Sequence, residues 1–361
     1  MNNRAFDLII PTYKPDSELE ELLSRIEKQT VRPARIIIMN TDEGAWNASR
    51  AQEIISRSGL KDLIQVHHVT KEDFRHGRTR NIGASYGDSP LMVFMTQDAL
   101  PADAKLFEKL LEPLGSEAAR DTEPRDTCQA ESAFTETRAN QRDGQTVYGT
   151  DAAESASSAD TPQAVHIAMT YARQLAGKHA GEIEKITREF NYPDESVTKT
   201  AADKERLGIK TYFASNVCAG YDRKTFEELG GFTDDVIFDE DMLYAAKLVH
   251  AGGAIRYCAD ARVYHSHDYS PVKQLMRNFD NGATQAMHPE VFAGIRNESE
   301  GIRLVKTTAE KLMERGKPWL IPELILQSGC KYVGFRLGRR YACLPKALIV
   351  KLSANKEYWM R

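Results

Sequence analysis

This sequence predicts an α/β fold: a mainly parallel central sheet flanked by helices, followed by a helical C-terminal region. Three observations carry that expectation. Short apolar runs of strand length alternate with helical-period segments from residue 6 to about residue 95. A polar, acidic stretch at about 116–164 interrupts this pattern, which then resumes. From residue 271 the chain reads as basic helix, with Trp319, Tyr332, Phe335, Tyr341 and Trp359 interleaved among lysines and arginines.

Taken in order, residues 6–10 are apolar and stop at Pro11, the mark of a buried strand. The opening MNNRAFDLIIPTYKP carries one basic residue ahead of an apolar run that is too short to read as a signal peptide. Residues 17–29 space Leu19, Leu22, Leu23 and Ile26 at helical intervals behind Asp16 or Ser17 as N-cap. A second strand is expected at 35–39 and a second helix at 48–58. Residues 64–69 give a third strand, 78–86 a third helix and 91–95 a fourth strand. Regular β-α-β alternation builds a parallel sheet covered by helices. Ligands of such sheets bind at the carboxyl ends of the strands, so the loops after Ile10, Met39 and Met95 are the first places to look for chemistry.

Residues 116–164 hold ten acidic and four basic residues and almost no large apolar side chains. Such a segment cannot bury enough surface to offset its ordering entropy, and a loosely held insertion is expected there. The pattern resumes near His166. A helix is expected at 182–190, a strand at 213–221, a short helix at 223–229, an amphipathic helix at 240–251 and strands at 254–257 and 261–264. The expected division is one α/β unit over 1–270 and a basic helical region over 271–361.

Apolar residues make up 41% and charged residues 28%, the balance of a soluble globular protein. No apolar run approaches the ~20 residues that span a bilayer. The cysteines (Cys128, Cys218, Cys258, Cys330 and Cys343) include no C-x-x-C pair. That argues for free thiols in a cytoplasmic setting and against a disulfide framework or a zinc site. Residues 301–361 carry 13 Lys/Arg against 4 Asp/Glu, a net of +9, while the rest carries 35 against 48, a net of −13. A basic tail on an acidic body points to a partner with phosphates. Nucleic acid is disfavoured, because the basic region holds no recognised module; an anionic membrane surface is the remaining expectation.

Three polar clusters sit at expected element ends. Thr96-Gln97-Asp98 follows LMVFM, where Asp98 either holds a divalent cation against a diphosphate or caps the turn into Ala99. Asp239-Glu240-Asp241 opens a helix, where the carboxylates either oppose the helix dipole or supply a general base. His265-Ser266-His267-Asp268 follows ARVY. Histidines at i and i+2 point to opposite faces if the strand continues, so one is expected on a metal and the other as a hydrogen-bonder. In addition, His76-Gly77-Arg78-Thr79-Arg80-Asn81-Ile82-Gly83 opens a helix with the arginines and glycines that suit a phosphate.

In their order, IIPTYKP, RIIIMNTDEG, HGRTRNIGA, LMVFMTQDALP, REFNYP, SNVCAGY, FDEDMLYAAKL and ARVYHSHDYS resemble the inverting family 2 glycosyltransferases of the GT-A fold. Within them the chain is most similar to bacterial rhamnosyltransferases that build surface polysaccharides. The likeness covers most of residues 6–361 outside the 116–164 stretch. It implies transfer of a sugar, rhamnose from dTDP-rhamnose, to a hydroxyl of a glycan or lipid-linked acceptor, with Mg²⁺ or Mn²⁺ as cofactor.

Carried over residue by residue, the likeness implies that Thr12, Tyr13, Asn40 and Asp42 line the nucleobase and ribose pocket, with Arg78, Arg80 and Asn81 near the donor. Asp98 matches the last carboxylate of the D-x-D motif, whose first is replaced by Thr96, and His265 the histidine that completes the metal site. Asp241 matches the catalytic base, and Gly231, Phe232, Glu240 and Asn191 fall on the acceptor side. Gln274-Leu275-Met276-Arg277-Asn278 only partly echoes the Q-x-x-R-W motif of processive synthases, which implies addition of one or a few sugars. An acceptor on a lipid diphosphate would explain the basic, aromatic C-terminal region as a peripheral contact with the inner face of the membrane. The rival readings are a binding protein of the same fold with little transferase activity, given Thr96, and a sugar nucleotidyltransferase. The latter would carry a Gly-rich basic loop where this chain has PTYKPDSE.

Overall fold

The computed structural model describes residues 4–118, 165–293 and 298–360. The insertion expected at 116–164 lies outside the described residues apart from 116–118. Four apolar runs become β1 (Phe6–Tyr13), β2 (Arg35–Thr41), β3 (Ile64–Val69) and β4 (Leu91–Met95), parallel to one another in the order β3-β2-β1-β4. Burial on both faces explains why β1, β2 and β4 are almost continuously apolar. Leu8, Ile10, Ile36 and Ile38 enter one core, and Ile9, Ile37 and Met39 enter the other.

The helix α1 (Ser17–Glu27) is capped by Asp16, which accepts the Glu18 N–H at 2.9 Å, and buries Leu19, Leu22, Leu23 and Ile26 as their spacing predicts. Two helices follow β2: α2 (Glu43–Asn47), not expected from the sequence, and α3 (Ala51–Arg57), the helix expected at 48–58. Asp42 starts the first by accepting the Gly44 N–H at 3.1 Å. Next come α4 (His76–Ser85), β5 (Leu100–Pro101) and α5 (Leu106–Leu111).

Beyond β4 the sheet becomes mixed. The strands β6 (Glu117–Ala118), β7 (Val165–Leu175), β8 (Val197–Lys199), β9 (Cys218–Asp222) and β10 (Ala254–Tyr264) continue it. The main path reads β3-β2-β1-β4-β9-β7-β10-β5. β9 runs antiparallel to β4 and β7, while β7 and β10 are parallel. The strand expected at 213–221 is therefore shorter, because the 3-10 turn Gly208–Thr211 and the irregular segment after it precede β9. The two strands expected at 254–257 and 261–264 are one, β10, whose register against β7 shifts between Cys258 and Arg262.

The remaining helices are α6 (Glu182–Asn191), α7 (Lys204–Leu207), α8 (Arg223–Glu228) and α9 (Glu240–His250), then α10 (Pro271–Met287), α11 (Pro289–Phe292), α12 (Glu298–Glu314), α13 (Ile321–Gly338), α14 (Lys346–Leu352) and α15 (Lys356–Trp359). α13 crosses α10 at backbone contact. A Cβ on Gly334 would sit 2.1 Å from the Leu275 carbonyl, and one on Gly338 would sit 2.0 Å from that of Phe279. Only glycine permits that approach. Part of the C-terminal positive charge is met by α6, where Arg315 and Lys317 pair with Glu182 and Lys311 pairs with Glu189. Among the described residues no helix is long and apolar enough to cross a membrane.

Candidate functional site

The carboxyl ends of β1, β2 and β4 open into a cleft of about 500 Å³, lined by Thr12, Tyr13, Thr41, Arg80, Thr96 and Asp98 among others. Gln97 ties its floor together. Its Oε1 accepts the Tyr13 N–H at 3.0 Å and its Nε2 donates to the Tyr13 carbonyl at 3.1 Å. The non-glycine residues with left-handed backbone among those described are Lys14 (φ 50°), Asp42 (φ 71°) and Asp239 (φ 63°). They stand just after β1, just after β2 and at the start of α9. Left-handed backbone is uncommon outside glycine and tends to gather at working sites.

β10 ends at Tyr264, so the alternation expected for His265 and His267 does not apply. Both imidazoles turn toward one carboxylate: Asp98 Oδ2 lies 3.6 Å from His265 Nε2 and 3.1 Å from His267 Nε2. The ligand atoms of Asp98, His265 and His267 all lie within 4.8 Å of one another. A continuing strand would have sent the two rings to opposite faces, and leaving it lets the chain swing the second ring round to Asp98.

Gln174, in β7, settles which nitrogen of His265 carries the proton. The Gln174 carbonyl oxygen accepts from the Arg188 guanidinium and also lies 3.0 Å from His265 Nδ1. An amide oxygen only accepts, so Nδ1 is the protonated nitrogen. Burial lowers the His265 pKa and keeps the ring neutral, leaving Nε2 a lone pair aimed at Asp98. Burial also opposes charge on Asp98, yet the neighbouring histidines hold its carboxyl well below the usual carboxylate range. The His265 Nε2 lone pair and an Asp98 oxygen face each other at 3.6 Å, an arrangement a divalent cation between them would accept. Two imidazole nitrogens and one carboxylate suit Mn²⁺ or another first-row divalent ion better than Ca²⁺. Thr96 Oγ1 is buried beside them and, although it favours the Asp98 carboxylate electrostatically, makes no hydrogen bond of good geometry.

The acidic cluster is wired to the same place through residues 215–217. Ser215 Oγ accepts from Gln174 Nε2 at 2.9 Å, the Asn216 N–H donates to Asp241 Oδ2 at 2.8 Å, and the Val217 carbonyl accepts the Thr96 N–H at 3.1 Å. One short segment therefore contacts the motif before Asp98, the residue that orients His265, and Asp241. Burial, then the neighbouring Glu240, pushes the Asp241 carboxyl up from its ordinary value. Burial likewise raises Asp239 to about 7. Glu240 stays ionised because Arg80 lies 3.2 Å away in the same buried pocket.

The profile of Glycosyl transferase family 2 matches residues 7–138. The chain is 33% identical over 356 residues to the O-antigen chain rhamnosyltransferase RfbN of Salmonella typhimurium, covering 98% of this chain and 95% of that protein. It is 31% identical over 360 residues to the O-antigen chain rhamnosyltransferase WbaN of Salmonella anatum, covering 98% and 96%. The chain belongs to glycosyltransferase family 2. Among solved structures, a Pyrobaculum calidifontis mannosyltransferase in complex with GDP-Man and Mn²⁺ matches 98% of this chain and 84% of its own, at 13% identity and a TM-score of 0.46.

In this glycosyltransferase the mixed sheet with flanking helices is the GT-A-type core, and the nucleotidyltransferase alternative falls. Of the residues singled out in the sequence, Thr12, Tyr13, Arg80 and Asp98 line the cleft. Asn40 is fully buried beneath it, with its amide donating to the Asp42 carbonyl, so it supports the pocket and does not line it. Asp42 pairs with Lys71 at 2.5 Å, and Lys71 is itself a lining residue. Arg78 is exposed on α4 and is not a lining residue, because its helical position faces away from the Arg80 side.

Asn81 is a structural clamp for the Gly231-Phe232 turn. It accepts the Phe232 N–H at 3.0 Å and donates to the Phe232 carbonyl at 2.9 Å. The Phe232 ring is buried at 5.0–5.6 Å from Phe94, Tyr221, Phe226 and Tyr244, which makes it a core side chain. Gly231, with φ 63°, makes that turn, and Glu240 is committed to Arg80 and Asn216. Asn191 closes α6 and is not among the lining residues. Reading the sequence missed Gln174 and Ser215, which carry no local signal, and it named His267 beside His265 without bringing both rings to Asp98.

Proposed function

We propose that this enzyme transfers rhamnose from dTDP-rhamnose, with inversion, to a hydroxyl of a glycan or lipid-linked saccharide in surface polysaccharide synthesis. The observation that carries this reading is the linkage of the Asp98, His265 and His267 cluster to Asp241 through residues 215–217, with Asp98 the member of the four that lines the cleft. The sugar and the pathway rest on the near full-length likeness to two O-antigen rhamnosyltransferases.

Mg²⁺ or Mn²⁺ held by Asp98, His265 and His267 would supply Lewis-acid neutralisation of the departing nucleoside diphosphate. Thr12, Tyr13 and Lys71 hold the nucleoside end, where the exposed Tyr13 ring offers a stacking face with Lys71 5.9 Å from its centroid. Arg80 faces the donor. Asp241 takes the proton of the acceptor hydroxyl. The freed oxygen bonds to the anomeric carbon from the face opposite the diphosphate, and the bond to the diphosphate oxygen breaks with its electron pair. A carboxyl raised toward neutrality is a stronger proton acceptor than an ordinary aspartate once ionised.

The lipid-linked acceptor also accounts for an exposed face of α13. Ile325, Leu326, Tyr332 and Val333 are exposed there, with Trp319 just before the helix and Arg336, Arg339 and Arg340 at its end. Apolar and aromatic groups edged by arginine fit an anionic leaflet, which supports the reading of a peripheral contact with the inner face of the membrane.

The test is an NMR-monitored reaction of dTDP-rhamnose with an acceptor panel, with and without EDTA. The reading expects metal-dependent dTDP release and a product of inverted anomeric configuration. Turnover of another nucleotide sugar in preference, or retention at the anomeric carbon, would sink it.

A further inference from the structure

The cleft has a wall that no strand-end loop supplies. Asn355, Glu357 and Tyr358 line it together with Thr12, Tyr13 and Lys71. Their segment follows α14 and includes α15, well outside the stretch that carries the family motifs.

A buried carboxylate holds the segment there. Asp280, in α10, is fully buried and accepts hydrogen bonds from Ser353 Oγ at 2.6 Å, the Ala354 N–H at 2.8 Å, the Asn355 N–H at 3.2 Å and Asn355 Nδ2 at 3.4 Å. A carboxylate out of water needs donors around it, and all of these come from residues 353–355. Burial still lifts the Asp280 carboxyl to about 6 against those bonds. At the far end, Trp359 packs 5.5 Å from the Tyr341 ring and 6.4 Å from Phe279. Tyr358 Oη reaches the Met287 sulfur at 3.8 Å. The segment is pinned at both ends, with Asn355 in the first anchor, Tyr358 in the second and Glu357 between them.

We infer that residues 353–359 form part of the donor site, with Asn355 and Tyr358 touching the nucleotide sugar and Asp280 as a positioning residue. This rests on the reading of the cleft as the donor site. Asn355 Nδ2 spends one hydrogen on Asp280, and its second N–H and Oδ1 suit a nucleobase edge or ribose. The Tyr358 ring supplies a packing face. Glu357 would repel a diphosphate and suits a sugar hydroxyl.

The experiment is isothermal titration of the full-length protein with dTDP in the presence of Mn²⁺. Tyr358→Ala and Asn355→Ala are compared with wild type, and Asp280→Asn with the Asp280→Asn/Tyr358→Ala double variant. The proposal expects Tyr358→Ala and Asp280→Asn each to weaken dTDP by at least about tenfold. The double variant should be no more than about threefold worse than the weaker single, since both act through one segment. A purely structural Asp280 would give additive losses. Should Asp280→Asn fail to fold, the alanine variants carry the test. The inference is overturned if wild type binds dTDP and both alanine variants bind within about twofold of it. If wild type binds none of dTDP, UDP and GDP with Mn²⁺, the donor-site reading fails first and this inference with it.

Discussion

His265 Nδ1 donates to Gln174 Oε1 across 3.0 Å, and this bond turns His265 Nε2 toward Asp98. Arg188 holds the same oxygen from the other side, so the amide cannot flip without losing both donors. Removing a hydrogen-bond partner of this kind typically costs 10–100-fold in metal affinity. Gln174→Ala is expected to weaken Mn²⁺ by about that factor in a calorimetric titration, with the secondary structure unchanged.

Asp241→Asn should lower kcat by about 10²–10⁴-fold while leaving donor affinity within a few fold. Because burial and Glu240 raise the Asp241 carboxyl, it is protonated at low pH and cannot act as base. Wild-type kcat/KM is therefore expected to climb with pH and level off once Asp241 ionises, and the variant should lack that limb. Stability runs the other way. A carboxyl raised on folding contributes fully below its unfolded pKa, and the contribution is lost as pH rises through the folded value. Asp239, raised to about 7, acts in the same direction. Urea unfolding across the neutral range should show Asp241→Asn losing less stability with rising pH than wild type.

Asp7 is fully buried at the start of β1, 2.8 Å from Arg223 Nη2, and it accepts Ser89 N–H and Oγ–H at 2.8 Å each. Breaking a buried pair by deleting one partner leaves the other uncompensated and costs about 3–5 kcal/mol. Asp7→Ala should lose about that much in denaturant titration. A loss below about 1 kcal/mol would show that water reaches Arg223.

The α13 face predicts salt-sensitive binding to anionic vesicles. Flotation with phosphatidylglycerol liposomes should recover the wild-type protein. Replacing Arg336, Arg339 and Arg340 by Glu should abolish recovery, and Trp319→Ala with Leu326→Ser should weaken it. Recovery equal to wild type in both variants would remove this face as the contact.

Much of the first half of the fold was legible because its signals are local. Apolar runs gave β1, β2, β3 and β4, and the spacing of Leu19, Leu22, Leu23 and Ile26 gave α1. β10 read as two strands because Asp260 interrupts its apolar pattern, where the register against β7 also shifts. The site was legible only where a motif marked it. Asp98, Asp241 and His265 stand out as polar residues at element ends, whereas Gln174 is one amide inside a strand and gains its meaning from His265, 91 positions away. His267 was misjudged by extending strand alternation past Tyr264. The basic C-terminal region read as one surface, but its glycines pack α13 onto α10 and its last described turn lines the cleft.

The most direct test of the shared site is an electron paramagnetic resonance titration of Mn²⁺ into the protein with dTDP present. Wild type should hold one Mn²⁺ per chain, with nitrogen hyperfine coupling from imidazole, and Asp98→Ala and His267→Ala should each lose it. A wild-type spectrum of free Mn²⁺, or bound Mn²⁺ that survives both substitutions, would contradict the account.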